Sequence, residues 1–385
     1  MVLRQLRNVP RTAAEKTPLG EADGRVLAED VRADRDFPPA TRSLRDGFAV
    51  HSADLPGELR VVGEVRAGAV SERALRTGEA IEIMTGAPVP AGADAVVMLE
   101  RVTRHGDRIQ TAQSVSPGEN LNPRGSEARA GNVVLAAGVR LGYSEIALLA
   151  AAGMTEVKVH RRPRVAVLAT GDEIVEVGET PLDHQVRNSN LFSLAVQVRR
   201  CGGDPILLPV ARDNEESTRS LIESGLSQDL LLISGGVSAG KYDVVEPALA
   251  RLGAEFFFTR VLVQPGQPLV FGRARGCFFF GLPGNPASTM VTFEVFARAA
   301  VELLSGLREP ALPLTFARLT GELRQMIGLT RFLPGRLSAD GLEVTPVPWQ
   351  GSSDVPALAR ANVYMMTDPD REAWAAGDLI QVLAK

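Results

Sequence analysis

The chain has 385 residues, more than one typical domain of about 100–200 residues, so we expect several domains. Hydrophobic residues make up 45% of the sequence and charged residues 23%, which are ordinary values for a globular protein and exclude global disorder. The 42 basic and 46 acidic residues leave a net charge of −4, which provides no positive field for a nucleic acid.

The positions of the cysteines and of the apolar segments indicate the cellular compartment of the protein. Cys201 and Cys277 are far apart and form no C-x-x-C pair, so neither a disulfide framework nor a thiolate metal site is predicted. The N-terminus lacks the apolar core of a signal peptide, and the apolar region 133–154 is interrupted by Arg140 and Glu145. We therefore expect a cytoplasmic protein without a membrane segment.

The elements follow in chain order. Residues 37–110 are rich in Gly, Pro and Val and lack helical periodicity, which predicts a small β-rich module. Residues 164–304 alternate short aliphatic runs with amphipathic ones, as βαβ units around a buried parallel sheet do. The predicted strands are 164–169, 205–210, 229–234 and 277–280, and the predicted helices are 189–200, 214–224, 244–252 and 287–304. Segment 254–271 is predicted to be extended but broken by prolines, and 310–385 to be mostly strands and turns.

A polar loop follows each predicted strand of this α/β block. The loops are Thr-Gly-Asp-Glu (170–173), Arg-Asp-Asn (212–214), the glycine-rich stretch 234–243, and Gly-Leu-Pro-Gly-Asn-Pro (281–286). Since ligands bind beyond the carboxyl ends of strands in an open parallel sheet, we expect the four loops to share one rim. The glycines allow close backbone approach, and the helix starts after Gly240 and Pro286 are predicted to offer N–H groups to a phosphate.

Carboxylates occur in the same loops. They are Asp172, Glu173, Asp213 and Asp243. They suit a Mg²⁺ ion that bridges carboxylate and phosphate oxygens, which predicts metal-assisted phosphoryl chemistry. Taken singly, T-G-D-E and Asp213-Asn214 also fit a turn and a helix cap, and L-P-G-N-P fits a rigid turn.

Three other enzyme classes are not predicted. Gly235 to Lys241 matches G-x-x-x-x-G-K, but Tyr242 stands where a Walker A loop has Ser or Thr to hold Mg²⁺. No G-x-G-x-x-G follows a strand, which weakens a nicotinamide-dependent oxidoreductase. The four histidines have no metal-ligand spacing, so a zinc hydrolase has no support.

A series of ordered motifs extends along nearly the whole chain. They are SLRDGFAV (43–50), IMTGAPVP (83–90), GADAVV (92–97), TGDE (170–173), RNSN (187–190), GGVSAG (235–240), LPGNP (282–286) and QGSS (350–353). In this set and order they resemble the MoeA family, the molybdopterin molybdenumtransferases that include the E domain of gephyrin.

The resemblance implies an elongated homodimer of four-domain subunits. A discontinuous domain would comprise 1–34 and 128–160, with a β-rich domain at 35–127 inserted in it. A doubly wound α/β molybdopterin-binding domain would follow at 161–308, and a β-barrel-like domain at 309–385. The cleft would lie at the dimer interface, so that Asp46 and Thr85 would act on the site of the other subunit.

The resemblance also implies the reaction and its residues. Adenylylated molybdopterin and molybdate would be the substrates, AMP would leave when the pyrophosphate link is split, and molybdenum would remain on the dithiolene sulfurs. Catalysis is assigned to Asp46, Thr85, Glu173, Asp213 and Asp243, the last three of which would also bind Mg²⁺. The pterin-phosphate site is assigned to Thr170, Gly171, Asp172, Asn190, Ser234, Gly235, Gly236, Ser238, Pro283, Gly284 and Asn285. The molybdate site is assigned to Gln264, Gln267, Arg331, Ser352 and Ser353. An adenylyltransferase and molybdoenzyme-delivery factors are implied as protein partners.

The chain departs from the family pattern at the expected molybdate site. The usual K-P-G-K-P appears as Q-P-G-Q-P, with Gln264 and Gln267 in place of the two lysines. A glutamine can hydrogen-bond an oxyanion but cannot supply its counter-charge. Ser126-Glu127 stands where Glu-Asp is usual, and Arg45 where Met is common; one hypothesis is that Arg45 replaces part of the missing charge.

Two alternatives to a molybdenum insertase stay open at this point. The missing lysines also fit a non-catalytic molybdopterin-binding paralogue or assembly scaffold, although a scaffold has no physical need for the retained carboxylates. An insertase that uses tungstate is the other alternative, since the two oxyanions share charge and nearly share size.

Overall fold

The computed structural model describes residues 1–6, 9–212, 214–237 and 244–385. Three six-stranded sheets, one for each third of the chain, dominate the architecture. The described α-helices are Val2–Leu6, Tyr143–Ala151, Ser189–Arg200, Glu215–Gly225, Val245–Arg251, Pro286–Thr292, Arg298–Leu304 and Val355–Arg360. Over these residues no helix combines the length and apolarity that crossing a membrane requires.

The central sheet confirms the predicted α/β architecture. Its strands, in spatial order, are Asp204–Leu207, Arg164–Ala169, Leu230–Ser234, Cys277–Leu282, Val270–Ala274 and Glu255–Phe258. The first four run parallel to one another, and only Val270–Ala274 runs antiparallel to its two neighbours, Cys277–Leu282 and Glu255–Phe258. The sheet is mixed because only Arg275 and Gly276, both with positive φ, connect two neighbouring strands. A two-residue loop of this kind forms a hairpin and cannot make a parallel crossover.

Helices cover both faces of the central sheet, as the doubly wound prediction requires. Val165 and Val167 pack in one apolar cluster with helices Ser189–Arg200 and Arg298–Leu304. The intervening Ala166 and Leu168 pack in a second cluster, with helices Glu215–Gly225 and Val245–Arg251. Each strand residue therefore alternates between two buried faces, which explains the near-continuous apolar runs in the sequence.

The predicted helix 287–304 is interrupted. Its α-helical parts, Pro286–Thr292 and Arg298–Leu304, are joined by a π-helical turn at Phe293–Ala297. Just before that turn, Oγ1 of Thr292 donates to the carbonyl of Ser288 at 2.7 Å, a side-chain bond of the type that bends helices.

The N-terminal sheet is β-rich, as predicted. Its strands, in spatial order, are Ala95–Met98, Gly47–Val50, Glu79–Ile83, Gly57–Val65, Arg108–Thr111 and Thr103–His105. Segments before and after it pair with each other: Ala14–Pro18 with Glu156–His160, and Val31–Arg32 with Val133–Leu135. This pairing brings 1–34 and 128–160 together around a shared apolar cluster, while the exact domain boundaries stay a prediction.

The C-terminal sheet closes into a barrel. Its strands, in spatial order, are Val263–Gln264, Thr330–Leu337, Glu343–Pro346, Leu314–Leu319, Leu379–Ala384 and Val363–Met366. Thr330–Leu337 also pairs with Val363–Met366, which closes the ring. The short strand Val263–Gln264 comes from the α/β block, so it links the central and C-terminal parts of the chain.

The other described strands form three short two-stranded pairs. They are Arg42–Ser43 with Leu121–Asn122, Ile174–Val175 with Val186–Arg187, and Leu323–Arg324 with Ala373–Trp374. The second pair lies directly after the first strand of the central sheet and contributes to the site described below.

Candidate functional site

A cavity of about 770 Å³ opens beyond the carboxyl ends of the central strands. Most of the residues predicted for the pterin-phosphate site line it: Thr170, Gly171, Asn190, Ser234, Gly235, Gly236, Pro283, Gly284 and Asn285, together with Glu173 and Ser353. The structure therefore brings residues from three predicted loops to one rim. Asp172 does not line the cavity, and Ser238, Asp213 and Asp243 lie outside the described residues.

The turn after strand Leu230–Ser234 requires glycine at two successive positions. Gly235 and Gly236 have φ of +94° and +64°. A Cβ at position 235 would lie 2.8 Å from the carbonyl oxygen of Thr170, and one at 236 would lie 2.6 Å from Cγ2 of Val245. Any larger residue would push the backbone away from its neighbours, so this turn can present bare main chain to a ligand.

Glu173 is the described carboxylate at the cavity. A Cβ on Gly171, whose φ is +140°, would lie 2.4 Å from Oε2 of Glu173, so glycine at 171 lets this carboxylate lie over the backbone. Within the described ranges, no three His, Cys, Asp or Glu side chains are close enough to hold a metal ion. Two of the three predicted Mg²⁺ ligands, Asp213 and Asp243, fall in the gaps of those ranges.

Two asparagines at the start of helix Ser189–Arg200 connect the loops. Nδ2 of Asn190 donates to Oγ of Ser234 at 2.9 Å and to the carbonyl of Gly284 at 2.7 Å. Asn188 is 2% exposed and caps the helix by accepting from the N–H of Leu191. Nδ2 of Asn188 and Oδ1 of Asn190 are buried without a partner in the described structure. Asn188 and Asn190 line the cavity, but these two unpaired atoms are themselves covered by protein.

The loop before helix Pro286–Thr292 is joined to the C-terminal part of the chain. Nδ2 of Asn285 donates to Oγ of Ser352, and the N–H of Ala287 donates to the carbonyl of Ser352, both at 2.9 Å. Pro286 has no N–H, so the first two helix positions have no free donor. Contrary to the expectation for this helix start, the N–H of Ala287 is not available to a phosphate, because the carbonyl of Ser352 already accepts it. The start after Gly240 falls among the residues not described, so the expectation there stays a prediction.

The residues predicted for molybdate lie beside this junction. Gln264 and Arg331 are paired in register on neighbouring parallel strands, and Ser353 lines the cavity. The backbone N–H of Arg331 donates to Oγ1 of Thr367 at 2.9 Å, while Nε of Arg331 is buried without a partner in the described structure. Oε1 of Gln267 accepts from Arg260 at 3.2 Å.

Asp46 and Thr85 form a separate pair in the N-terminal sheet region. Oδ1 of Asp46 accepts from the N–H of Thr85 at 2.6 Å and from its Oγ1 at 2.8 Å. These hydrogen bonds lower the pKa of Asp46, which stabilises the ionised carboxylate. Neither residue lines the cavity of its own chain, and their contribution to the cavity of a second subunit stays a prediction.

Some cavity residues were missed by the sequence reasoning. Asn188 and Arg187 line the cavity although only Asn190 of the R-N-S-N motif was assigned to the site. The available signal was the position of Asn188 as a helix N-cap directly before the amphipathic pattern that begins at Ser189. Ile174 and Val186, from the two-stranded pair, add apolar surface that no motif indicated.

Comparison with known proteins assigns the three parts of the chain. Residues 1–153 match the MoeA N-terminal region (domain I and II), residues 166–303 match a probable molybdopterin binding domain, and residues 317–385 match the MoeA C-terminal region (domain IV). The cavity described above lies mainly within the second of these regions.

Relatives match over nearly full length. The molybdopterin molybdenumtransferase of Staphylococcus epidermidis is 34% identical over 375 residues, covering 95% of this chain and 90% of the relative. The enzyme of the same name from Haemophilus influenzae is 33% identical and covers 96% and 94%. A solved structure of the molybdopterin biosynthesis MoeA protein from Pyrococcus horikoshii covers 100% of this chain and 97% of its own, with 31% identity and a TM-score of 0.76.

The fold, together with these relatives, defines a multidomain transferase built around an α/β ligand-binding unit with β-rich parts on either side. The chain belongs to the MoeA family.

Proposed function

We propose that this protein is a molybdopterin molybdenumtransferase that acts in molybdenum cofactor biosynthesis. Full-length similarity to enzymes of that name supports the activity. The structural observation that carries it is the cavity of about 770 Å³ at the carboxyl ends of the central strands. Its size is typical of small-molecule sites, which range over roughly 300–1,000 Å³.

The substrates in this proposal are adenylylated molybdopterin and molybdate. Water is the net nucleophile that splits the phosphorus–oxygen bond of the pyrophosphate link, so that AMP leaves and molybdopterin keeps its own phosphate. The two dithiolene sulfurs replace two oxygens of molybdate, and these oxygens leave as water with the two thiol protons and two protons from solvent. The glycine turn at Gly235 and Gly236 places bare backbone against the phosphates. Asn190 joins the loops that face the substrate, because its Nδ2 donates to Ser234 and to the carbonyl of Gly284.

Glu173 fits a Mg²⁺ ion in this cavity. Magnesium is commonly bound by one or two carboxylates together with phosphate oxygens of the substrate, and Glu173 is a carboxylate held at the cavity edge. Asp213 and Asp243 are the other proposed ligands. When bound, Mg²⁺ would withdraw charge from the phosphates. Glu173 itself then fixes a negative charge at one side of the cavity, while the glycine turn and Asn190 orient the phosphates from the other sides.

We further propose a homodimer in the cytoplasm, in which Asp46 and Thr85 face the cavity of the other subunit. The hydrogen bonds from Thr85 keep the Asp46 carboxylate ionised and fixed in direction. Light scattering is expected to give about twice the 41.1 kDa chain mass, and a monomer at working concentration would remove this part of the proposal. An adenylyltransferase that supplies the substrate and a protein that receives the product complete the proposed partners.

Single-turnover release of AMP from adenylylated molybdopterin tests the activity. Molybdate and Mg²⁺ are each supplied or omitted, and molybdenum bound to the recovered pterin is measured in parallel. We expect AMP release that requires both, with molybdenum retained on the pterin. Tight pterin binding without AMP release would instead assign the protein to the non-catalytic class. Repeating the reaction with tungstate separates the two oxyanions.

A further inference from the structure

Two charged side chains of opposite sign lie in the wall of the substrate cavity. They are Glu173 and Arg187, and the other described residues of the wall are neutral. The main chain brings the two residues close together, because the N–H of Val186 donates to the carbonyl of Glu173 at 2.9 Å. The parallel pair of Ile174–Val175 with Val186–Arg187 continues from this bond. The cavity therefore has a cationic side chain beside its carboxylate.

Arg187 and Glu173 do not neutralise each other. The ion pairs of the described residues include neither side chain. Nε of Arg187 donates to the carbonyl of Glu179 at 2.9 Å, which ties the guanidinium to the segment between the two short strands. In the described part of the chain, the two Nη groups of Arg187 have no acceptor. These groups are free to donate charged hydrogen bonds to an anionic ligand.

The helix that follows Arg187 adds positive potential to the same wall. Helix Ser189–Arg200 begins at the cavity, since Asn188, Ser189 and Asn190 all line it. The aligned peptide dipoles of a helix place partial positive charge at its N-terminus. The full charge of Arg187 and this partial charge therefore lie next to each other. An anionic group of the substrate is favoured at this wall more than at the side where Glu173 lies.

We infer that Arg187 donates charged hydrogen bonds to the phosphate oxygens of adenylylated molybdopterin and so determines the affinity of the cavity for this substrate. The inference rests on the proposed transferase function and adds a substrate-binding residue to the site. It also divides the work between the two charged side chains of the wall. Glu173 suits Mg²⁺, whereas Arg187 contacts the phosphate oxygens directly and needs no metal ion to do so.

The test measures the dissociation constant of adenylylated molybdopterin by isothermal titration, without Mg²⁺ or molybdate, over a range of salt concentrations. For Arg187→Gln we expect a dissociation constant raised at least about tenfold at low salt, because a charged hydrogen bond is lost. Its affinity should also depend less on salt than that of wild type, since salt screens the lost attraction. Arg200→Gln is the matched control, because Arg200 is an exposed arginine at the other end of the same helix.

Arg187→Lys separates the charge from the hydrogen bond to Glu179. Lysine keeps the positive charge but has no group that corresponds to Nε, so it loses the bond to the carbonyl of Glu179. We expect this variant to keep the salt dependence of wild type and to recover part of the affinity. A role of Arg187 only in fixing the segment around Glu179 would instead weaken binding equally in both variants.

A charge-relocation variant tests the same point from the other direction. Arg187→Gln combined with Ser189→Lys returns a cation to another exposed residue of the cavity wall, so we expect affinity and its salt dependence to recover in part. Wild-type affinity in Arg187→Gln, or an equal loss in Arg187→Gln and Arg187→Lys with unchanged salt dependence, would overturn the inference while leaving the transferase function intact. A wild-type protein that binds no adenylylated molybdopterin and releases no AMP would instead overturn the proposed function.

Discussion

The cavity beyond the central sheet and the turn at 264–268 use different chemistry. The cavity presents backbone, hydroxyl and amide groups, with the carboxylate of Glu173 at its edge and Arg187 as the described cation of its lining. The turn presents the neutral amides of Gln264 and Gln267, with Arg331 in register with Gln264 on the neighbouring strand. A polyatomic substrate that is read by shape and hydrogen bonds suits the first region, whereas a small dianion that offers little except charge suits the second. The comparison shows how one protein can distinguish two substrates: hydrogen-bonding groups recognise the larger one, and positive charge recognises the small dianion.

Removing the Glu173 carboxylate is expected to give the largest effect in the cavity. Glu173→Gln keeps the size of the side chain but loses its charge, so the rate of single-turnover AMP release should fall about 100-fold. The Mg²⁺ concentration needed for half-maximal release should rise. Affinity for adenylylated molybdopterin should change little. Glu176→Gln, an exposed acid three residues further along, is the control, and equal rates for both variants would exclude Glu173 from the chemistry.

Filling the glycine turn is expected to damage pterin binding specifically. Gly236→Ala places a methyl group 2.6 Å from Val245 and 2.9 Å from Oγ1 of Thr170, so affinity for adenylylated molybdopterin should fall at least about tenfold. Gly276→Ala is the matched control, since Gly276 also has positive φ but has no atom within 4 Å of its added Cβ. That control should lose about 1 kcal/mol of stability and bind normally. Isothermal titration checks both, and normal binding by Gly236→Ala would contradict the proposed role of the turn.

The Asn190 amide joins three loops of the cavity. Asn190→Asp removes the donor and directs a carboxylate at the carbonyl of Gly284, so we expect about a tenfold loss of pterin affinity. Asn362→Asp is the control, because Nδ2 of Asn362 likewise donates to a backbone carbonyl, at 3.1 Å, but in the barrel. If both variants bind equally well, the loop contacts of Asn190 do not shape the cavity.

The smallest expected effect concerns Asp46. Thr85→Val removes one of two hydrogen bonds, so the pKa of Asp46 should rise toward its ordinary value but stay below it, because the N–H bond from Thr85 remains. Because the pKa of Asp46 is lower in the folded than in the unfolded state, its ionised carboxylate stabilises the folded state at pH values above the unfolded-state pKa. This contribution is lost as the pH falls through the folded-state pKa. The variant should therefore lose that contribution at a higher pH than wild type. Carboxyl NMR titration measures the shift, and Thr85→Ser should retain the wild-type pKa.

Much of the central fold follows from the sequence alone. Helix Ser189–Arg200 and strand Arg164–Ala169 are predicted with their observed bounds, because strong amphipathic and apolar periodicity define them. The antiparallel hairpin at Arg275 and Gly276 is not predicted, since this turn lacks the usual Asn-Gly or Asp-Gly signal. The pairing of Ala14–Pro18 with Glu156–His160 spans most of the first half of the chain, and periodicity carries no information on such long-range pairing.

Only part of the candidate site could be predicted from the sequence. Gly235, Gly236 and Pro283 follow buried strands, so the rule that ligands bind at carboxyl ends places them at the cavity. Arg331 comes into register with Gln264 only because the strand Val263–Gln264 pairs with a barrel strand, which joins residues 67 positions apart. The occupation of the Ala287 N–H by Ser352 joins residues 65 positions apart and depends on how the barrel packs on the helix.

Anomalous X-ray diffraction at the molybdenum absorption edge, from crystals grown with AMP and molybdate, tests the separation of the two regions most directly. We predict a molybdenum peak beside Gln264, Gln267 and Arg331, with the nucleotide phosphate near the turn at Gly235 and Gly236. A molybdenum peak confined to the glycine turn, with no density beside Arg331, would contradict the account.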